Sequence, residues 1–492
     1  LADGADLITA SKGTDNVRLG DGAGASIASG GVENVLIGKD AGTALTTGGD
    51  SVAIGHLALS TATTAGNNVA VGDRTLKENT SGENNTAIGT LALNANTTGN
   101  YSTAVGRDAL TANTEGSNTA VGALALKTVT TGGNNVAVGR EALETCASDN
   151  NTAVGYQAGE ALTSGGIVAV GYQAGKAATT SIGNTLIGEL AGTAITDGNN
   201  NTAVGSQALS SITSSTDNTA IGHDALRYQT TGTENTAIGS EALDALTVGN
   251  GNVAVGVQAL STNINGSRNT AVGTTALKVA EASGSTSSNQ YNVGLGYGAG
   301  LVVTTGGFNT LLGGFAGDTI LSGGSNICVG YGADVAHDTS NGIAIGINIS
   351  ATDNDFSFGK ASNVVTNDFD SDANWSRSSD VRLKKNITDQ KLGLDFINDL
   401  RTVKYNWKAS HELDSTDSQL SHLYKEDEAD NEMNTEATMH NFIAQEVKAA
   451  LDTAGVSDFS GWSEDEHGVQ QVSREMFVIP LVKAVQELSA KV

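Results

Sequence analysis

The sequence predicts a mostly β protein in two parts. The first is a long β-solenoid, or β-roll, of repeats about 17 residues long. The second is a small α+β domain that ends in a helix. Three observations predict this. A glycine recurs at a short fixed spacing through most of the 492 residues. Composition breaks sharply near residue 379. Hydrophobic residues are only 38% of the chain, below the ~45–50% of ordinary globular domains, so a conventional core of this size would be underfilled.

The repeat comes first. Phrases such as Asn118-Thr119-Ala120-Val121-Gly122 and Asn201-Thr202-Ala203-Val204-Gly205 recur. Twenty closing glycines, from Gly20 to Gly346, act as anchors. Thirteen of the 19 spacings between them are 17 residues, four are 16, one is 18 and one is 23. Fixed periods of this length mark solenoids and arrays. Val, Ile or Leu stands directly before every anchor, and a small or aliphatic residue stands two places earlier. Strand side chains alternate, so these two positions share one face. The Gly itself suits a tight bend. Ala follows three residues later in 18 of 20 repeats, and a polar Thr/Gly/Asn run leads into the next strand. Seventeen residues leave no room for a helix and its connections, so each repeat reads as one β-coil.

Asn stands four before the anchor in 16 of 20 repeats, the exceptions being Ser51, Ser102, Ile167 and Gly342. Stacked identical Asn side chains can bond along a ladder. Twenty coils at about 4.8 Å each would make a rod roughly 95 Å long. Such a rod is thin and leaves apolar surface on its flanks, so the expected object is a fibre of several chains side by side. The one long spacing, Gly273 to Gly296, holds six extra residues within Ala280–Tyr291. They read either as a tolerated surface bulge or as a receptor contact, since solenoid insertions map to loops.

The second part begins at residue 379. Residues 379–492 carry 33 charged residues in 114 and 4 Gly; residues 1–378 carry 46 in 378 and 59 Gly. The division expected is an N-terminal segment at 1–15, the solenoid at 16–359, a polar linker at 360–378 and the small domain at 379–492. Within that domain Lys391–Leu400 has helical spacing, Val403–Trp407 alternates like a strand, and His411–Thr438 is an acidic loop. Phe442–Leu451 predicts a short helix. Pro480 suits the first turn of a last helix, whose Leu481, Val485 and Leu488 make an apolar stripe fit to pair with symmetry mates.

Charge and motif content exclude several functions. Twenty-six basic against 53 acidic residues leave a net charge of −27, which opposes nucleic-acid binding and docking on anionic membranes. Cys146 and Cys328 lie far apart and the seven His are scattered, so no disulfide framework, metal site or cofactor is expected. No apolar run reaches the ~20 residues of a membrane span. The chain opens at Leu1 without a charged-plus-apolar leader, so no signal peptide is expected. The absent initiator Met points to a piece of a longer protein.

The repeats resemble the heads of trimeric autotransporter adhesins of the YadA type, the nearest local phrase being Ser51-Val52-Ala53-Ile54-Gly55, and similar repeats of phage tail fibres. The resemblance spans roughly residues 16–359 and implies a homotrimer. Ser379-Asp380-Val381-Arg382-Leu383-Lys384-Lys385-Asn386-Ile387 closely resembles the opening of the intramolecular chaperone auto-processing domain of phage tail spikes and fibres. Tyr405–Lys408, Phe442–Val447 and Leu481–Leu488 continue the likeness in order, with Asn441 standing where a Gly is expected. This resemblance implies a domain that trimerises, guides folding of the fibre and then cuts itself off at the Ser378–Ser379 bond. It implies Ser379 as nucleophile and Lys384 as general base, with Asp380 and Arg382 in supporting places. A Ser hydroxyl needs a base to remove its proton, and a Lys serves only when burial lowers its pKa. Without the resemblance Ser379 would read as a helix N-cap and Lys384 as a solvated side chain.

Taken together these readings predict a virion tail fibre, folded in a host cytoplasm, that binds a host cell-surface receptor, a glycan by family likeness, and joins other tail proteins. Enzymatic action is limited to one self-cleavage. Two alternatives stand beside it. A polysaccharide-degrading tailspike needs paired carboxylates, and Asp224 and Glu241 share a slot in adjacent coils. That slot also holds Gln157, Gln173, Gln207 and Gln258, as a solvated polar column would. A bacterial trimeric adhesin should show a secretion leader and a membrane-anchoring barrel.

Overall fold

A computed structural model describes residues 13–280, 288–361, 363–368, 381–427, 435–436, 438–465 and 467–492. The chain divides into two compact units, residues 1–377 and 378–492.

The first unit is a stack of twenty coils, each with one short strand ending at its anchor Gly. Successive strands pair in parallel, every residue over its counterpart one repeat on, as in Thr202↔Thr219, Ala203↔Ala220 and Val204↔Ile221. In each strand the middle residue points inward. Ala203, Ala220 and Ala237 are fully buried, while the residues on either side stay half-exposed or exposed. The Ala three after the anchor is buried as well, and so is the Leu four after it where one stands there. Those Leu residues have left-handed backbones, for example Leu93 at φ 50° and Leu243 at φ 52°. The left-handed conformation costs roughly 1–2 kcal/mol. Full burial of a Leu contributes about 1.5–3 kcal/mol, so burial wins.

The core shares its volume between neighbouring coils: Leu36, Leu186 and Leu311 also fill the space over Gly24, Gly175 and Gly300 of the coil before. Where the inward strand residue is Leu rather than Ala, as at Leu36, Leu186 and Leu311, the position four after the anchor is Gly: Gly42, Gly192 and Gly317. A Cβ on any of these three glycines would lie 2.5–2.8 Å from that Leu side chain. The large and small partners have exchanged places, the kind of change packed cores tolerate when total volume is kept.

The anchor glycines are fixed by more than a bend. Gly205 has φ +141°, and a Cβ there would lie 2.3 Å from the Gly222 carbonyl of the next coil. No L side chain fits that stack. The Asn column is buried and runs mostly through the backbone. Asn235 Oδ1 accepts the backbone N–H of Asn252 at 2.9 Å, and its Nδ2 donates to the Gly249 carbonyl at 2.8 Å. Each Asn thereby satisfies peptide groups that the strands leave unpaired, and leaving such a group unmade costs about 1–3 kcal/mol. Where Ser replaces Asn, Ser51 Oγ still accepts the Asn68 N–H at 3.2 Å.

The far end of the stack corrects one expectation. Part of the 360–378 segment, read as linker, is a strand: Asn363–Asp368 pairs antiparallel with Asp355–Lys360, which itself lies parallel on Ile343–Ile347. The reversal ends the parallel ladder in a hairpin. Of the inserted segment, residues 281–287 lie outside the described residues. Its end, Ser288–Asn289, pairs with Gly266–Ser267.

The second unit holds three α-helices among the described residues: α1 (Leu394–Asn398), α2 (Ala444–Thr453) and α3 (Val478–Ser489). Val403–Tyr405 pairs antiparallel with Met439–Asn441, and Trp462–Glu464 with Gln470–Val472. The core is small: Leu392, Phe396, Val447, Ala450, Leu451 and Phe477. Phe477 stacks on Phe442 at 4.8 Å and meets Phe459 edge-on at 5.2 Å. At Asn441 the backbone is not left-handed, and the side chain accepts the Phe442 N–H at 2.8 Å, so a Gly is not needed there.

Candidate functional sites

Three features bear on function: the start of the second unit, the polar column of the solenoid, and two apolar faces without cover inside the chain.

At the start of the second unit Ser378, Ser379 and Asp380 lie outside the described residues. The chain is described from a single 3-10 turn, Val381–Leu383, and the Lys384 N–H donates to the Val381 carbonyl at 3.1 Å, closing that turn. Arg382 and Lys384 are both exposed. The chain alone therefore places Lys384 beside the expected nucleophile in sequence without burying it.

The polar column follows the anchors by two residues. Asp224 is largely buried, and its Oδ2 meets His223 Nδ1 at 3.2 Å and Arg227 at 3.3 Å. Glu241 accepts from Gln258 Nε2 at 2.7 Å. The pattern repeats higher up, where Gln157 donates to Glu141 at 2.9 Å and Gln173 to Gln157 at 2.7 Å. Glu141 and Glu241 are thus tied to the Gln of the next coil, whereas Asp224 pairs within its own coil and its Oδ1 is buried without a hydrogen-bond partner among the described residues. The two cysteines are inert by environment. Both are fully buried, and burial pushes the Cys328 thiol up to about 12, far from the thiolate a nucleophile requires.

The first uncovered face is the outer side of the strands. None of the twenty aliphatic residues preceding the anchors is buried; Ile88 is 41% exposed and Leu312 38%. They form a continuous aliphatic stripe down the stack. The second is on α3, where only Pro480 and Ala484 are buried while Val478, Ile479, Leu481, Val482, Val485 and Leu488 are exposed. The sequence stripe at Leu481, Val485 and Leu488 is real, and among the described residues it is left exposed. The opposite side of α3 is anchored by Glu487, whose carboxylate accepts the Leu394 N–H at 2.8 Å. That bond holds its pKa below the usual Glu range. Sequence reading missed Glu487, because its partner is a backbone group 93 residues away.

A β-solenoid of twenty coils followed in sequence by a small mixed α+β unit defines a repeat-built protein carrying a separately folded module. Residues 379–456 match the family model described as chaperone of endosialidase, a peptidase family by its title. No curated protein and no solved structure matches the chain. The match takes in Lys384 and α2, and it begins at Ser379. With the twenty-coil solenoid, it fits a tail fibre or tailspike with a C-terminal chaperone domain.

Proposed function

We propose that the chain is a phage tail fibre. In this reading the solenoid is the receptor-binding shaft, and the C-terminal unit drives its assembly as a homotrimer and then cuts itself off. The observation that carries it is the chaperone match placed directly behind the solenoid. The uncovered faces support the trimer. A stripe of Val, Ile and Leu along twenty coils and six exposed apolar residues on a 12-residue helix form more apolar surface than isolated chains usually expose. Identical copies laid side by side would remove both from water.

The cleavage reading is chemically complete. Lys384, as neutral amine, takes the proton of the Ser379 hydroxyl. The Oγ attacks the Ser378 carbonyl carbon, the Ser378–Ser379 C–N bond breaks, and the nitrogen leaves as an amine with the proton returned by Lys384. Water then hydrolyses the resulting ester, leaving a carboxylate on Ser378. The amine must be neutral to begin, and burial is what favours the neutral form of a Lys. Lys384 is exposed in the single chain, so burial must come from neighbouring copies. That dependence would delay cutting until assembly is finished. Binding of a surface glycan and attachment to other tail proteins belong to the same reading.

The test is intact mass and light scattering on freshly expressed chain. A trimeric fragment ending at Ser378 is expected, with Ser379→Ala whole and trimeric, and Lys384→Arg folded, trimeric and uncut. Full cleavage of Lys384→Arg removes Lys384 from the mechanism. An uncut monomer in all three overturns the whole reading.

A further inference from the structure

The exposed strand of each coil has two flanks. The residue five before the anchor precedes the strand, and the residue directly after the anchor follows it, so they lie at opposite ends. In five of the twenty coils these flanks are complementary. Glu33 stands against Lys39, Asp50 against His56, and Asp217 against His223. Aromatic character matches too: Tyr101 stands against Arg107, and Tyr291 against Tyr297. All ten residues are exposed. The other fifteen coils carry no such pair, the first having Asp15 against Asp21, and His56 and His223 also meet Asp73 and Asp224 within the chain.

Within one chain the leading flank is under charge stress. Asp15, Glu33 and Asp50 occupy the same slot in successive coils, and a hydrogen bond from protonated Glu33 to Asp50, then the Asp50 charge, raise the Glu33 pKa. Lys39 has no ion pair within the chain among the described residues. Further along, aromatic rings stack along each flank separately. Tyr291 stacks on Phe308 at 5.5 Å on the leading side, and Tyr297, Phe315 and Tyr331 follow one another at 5.2 and 6.0 Å on the trailing side.

We infer that the two flanks are the halves of one seam: the leading flank of one copy meets the trailing flank of the next, coil against equal coil, closing identical chains into a ring. Different surfaces in contact at equal height are what a closed cyclic assembly requires. Complementarity placed on the same coils of one sequence fits a second copy, because a foreign ligand would need only one flank. The seam places a cation beside the stacked acids of the neighbour and aromatic rings beside aromatic rings in the last coils. The inference rests on the trimer proposed above and names its contacts.

The full chain carrying Ser379→Ala, Glu33→Cys and Lys39→Cys tests it. Within one chain the two Cα atoms flank a strand whose three residues alone span about 7 Å, beyond the reach of a disulfide once the flanks are added. Cys146 and Cys328 are fully buried and do not compete. After oxidation, most of the double variant should run as a covalent trimer on a denaturing, non-reducing gel, and each single variant as monomer. In a parallel arm, Glu33→Lys should lower the dissociation temperature of the trimer, and adding Lys39→Glu should restore it. Trimer by light scattering without cross-linked product and without charge rescue overturns the seam, leaving the aromatic flanks to a foreign ligand such as a glycan. Monomer by light scattering overturns the trimer reading itself.

Discussion

The two units solve the problem of a small core in opposite ways. Each solenoid coil buries a few small side chains and repeats the arrangement twenty times, with buried Asn residues bonding the turns and Gly against Gly at every bend. The C-terminal unit builds one irregular cluster around Phe396 and Phe477 and leaves most of the apolar side of α3 uncovered. In the solenoid, constraint is spread evenly and belongs to slots. In the C-terminal unit it belongs to individual side chains, and much of the apolar surface of α3 is left exposed. The same residue type therefore carries different weight in the two places.

Glycine gives the sharpest break. Gly205→Val would force a Cβ into the Gly222 carbonyl at 2.3 Å, in a column where neighbours are equally rigid. We expect a loss above ~4 kcal/mol, the exceptional range for point changes, read as lost soluble protein or a collapsed melting transition. Gly455 follows α2 at φ +64°, with nothing within 4 Å of its Cβ position. Gly455→Ala should cost only roughly 1–2 kcal/mol, the left-handed penalty alone. Equal losses at the two sites would erase the distinction between slot and residue.

The volume exchange is the next test. Leu186→Ala alone should cost about 2–5 kcal/mol through the cavity it leaves, and Gly192→Leu alone about 1–3 kcal/mol through overpacking. The double variant should lose less than the two single variants combined, the remaining loss being the space over Gly175 that Leu186 now fills, a coupling that a double-mutant cycle in thermal unfolding measures. Additive losses would show that the coils are not interchangeable.

The smallest effect is in pH. Glu487 and Glu446 have pKa values held below the usual Glu range, the first chiefly by the Leu394 N–H and the second by Arg401. A depressed carboxyl stabilises the fold fully above its unfolded value, near 4.3, and that contribution is lost as pH falls through the folded value. In the solenoid Asp244 and Asp334 are raised, chiefly by burial, and Glu33 by Asp50. Those groups oppose folding when ionised, and the opposition fades as pH falls. Asp73 and Glu141 are exceptions, drawn down by His56 and Arg140. Acidification from pH 5 to 3 should therefore weaken the C-terminal unit first. All α-helix among the described residues lies there, so the far-ultraviolet helix signal reports it. Glu487→Gln should flatten that response. An unchanged acid profile would remove the α1–α3 bond from the account.

Sequence by itself determined the period, the anchors, the β-coil and the break near residue 379, because each repeats or shifts over many residues and local chemistry dominates there. It placed a strand over Val403–Trp407, of which Val403–Tyr405 is strand in the structure, and the helices near Phe442 and Pro480 for the same reason. The proposed pairing of Ser379 and Lys384 rests on resemblance alone, since one Ser and one Lys carry no pattern of their own. Tertiary structure alone decided which side of each strand faces inward: alternation sets two faces apart, and only stacking against the Ala and Leu of the same coil chooses between them. It alone converted residues 363–368 from linker to strand, because a reversed edge strand depends on the partner it meets. And it alone joined Glu487 to Leu394, a bond across 93 residues for which no local spacing gives a signal.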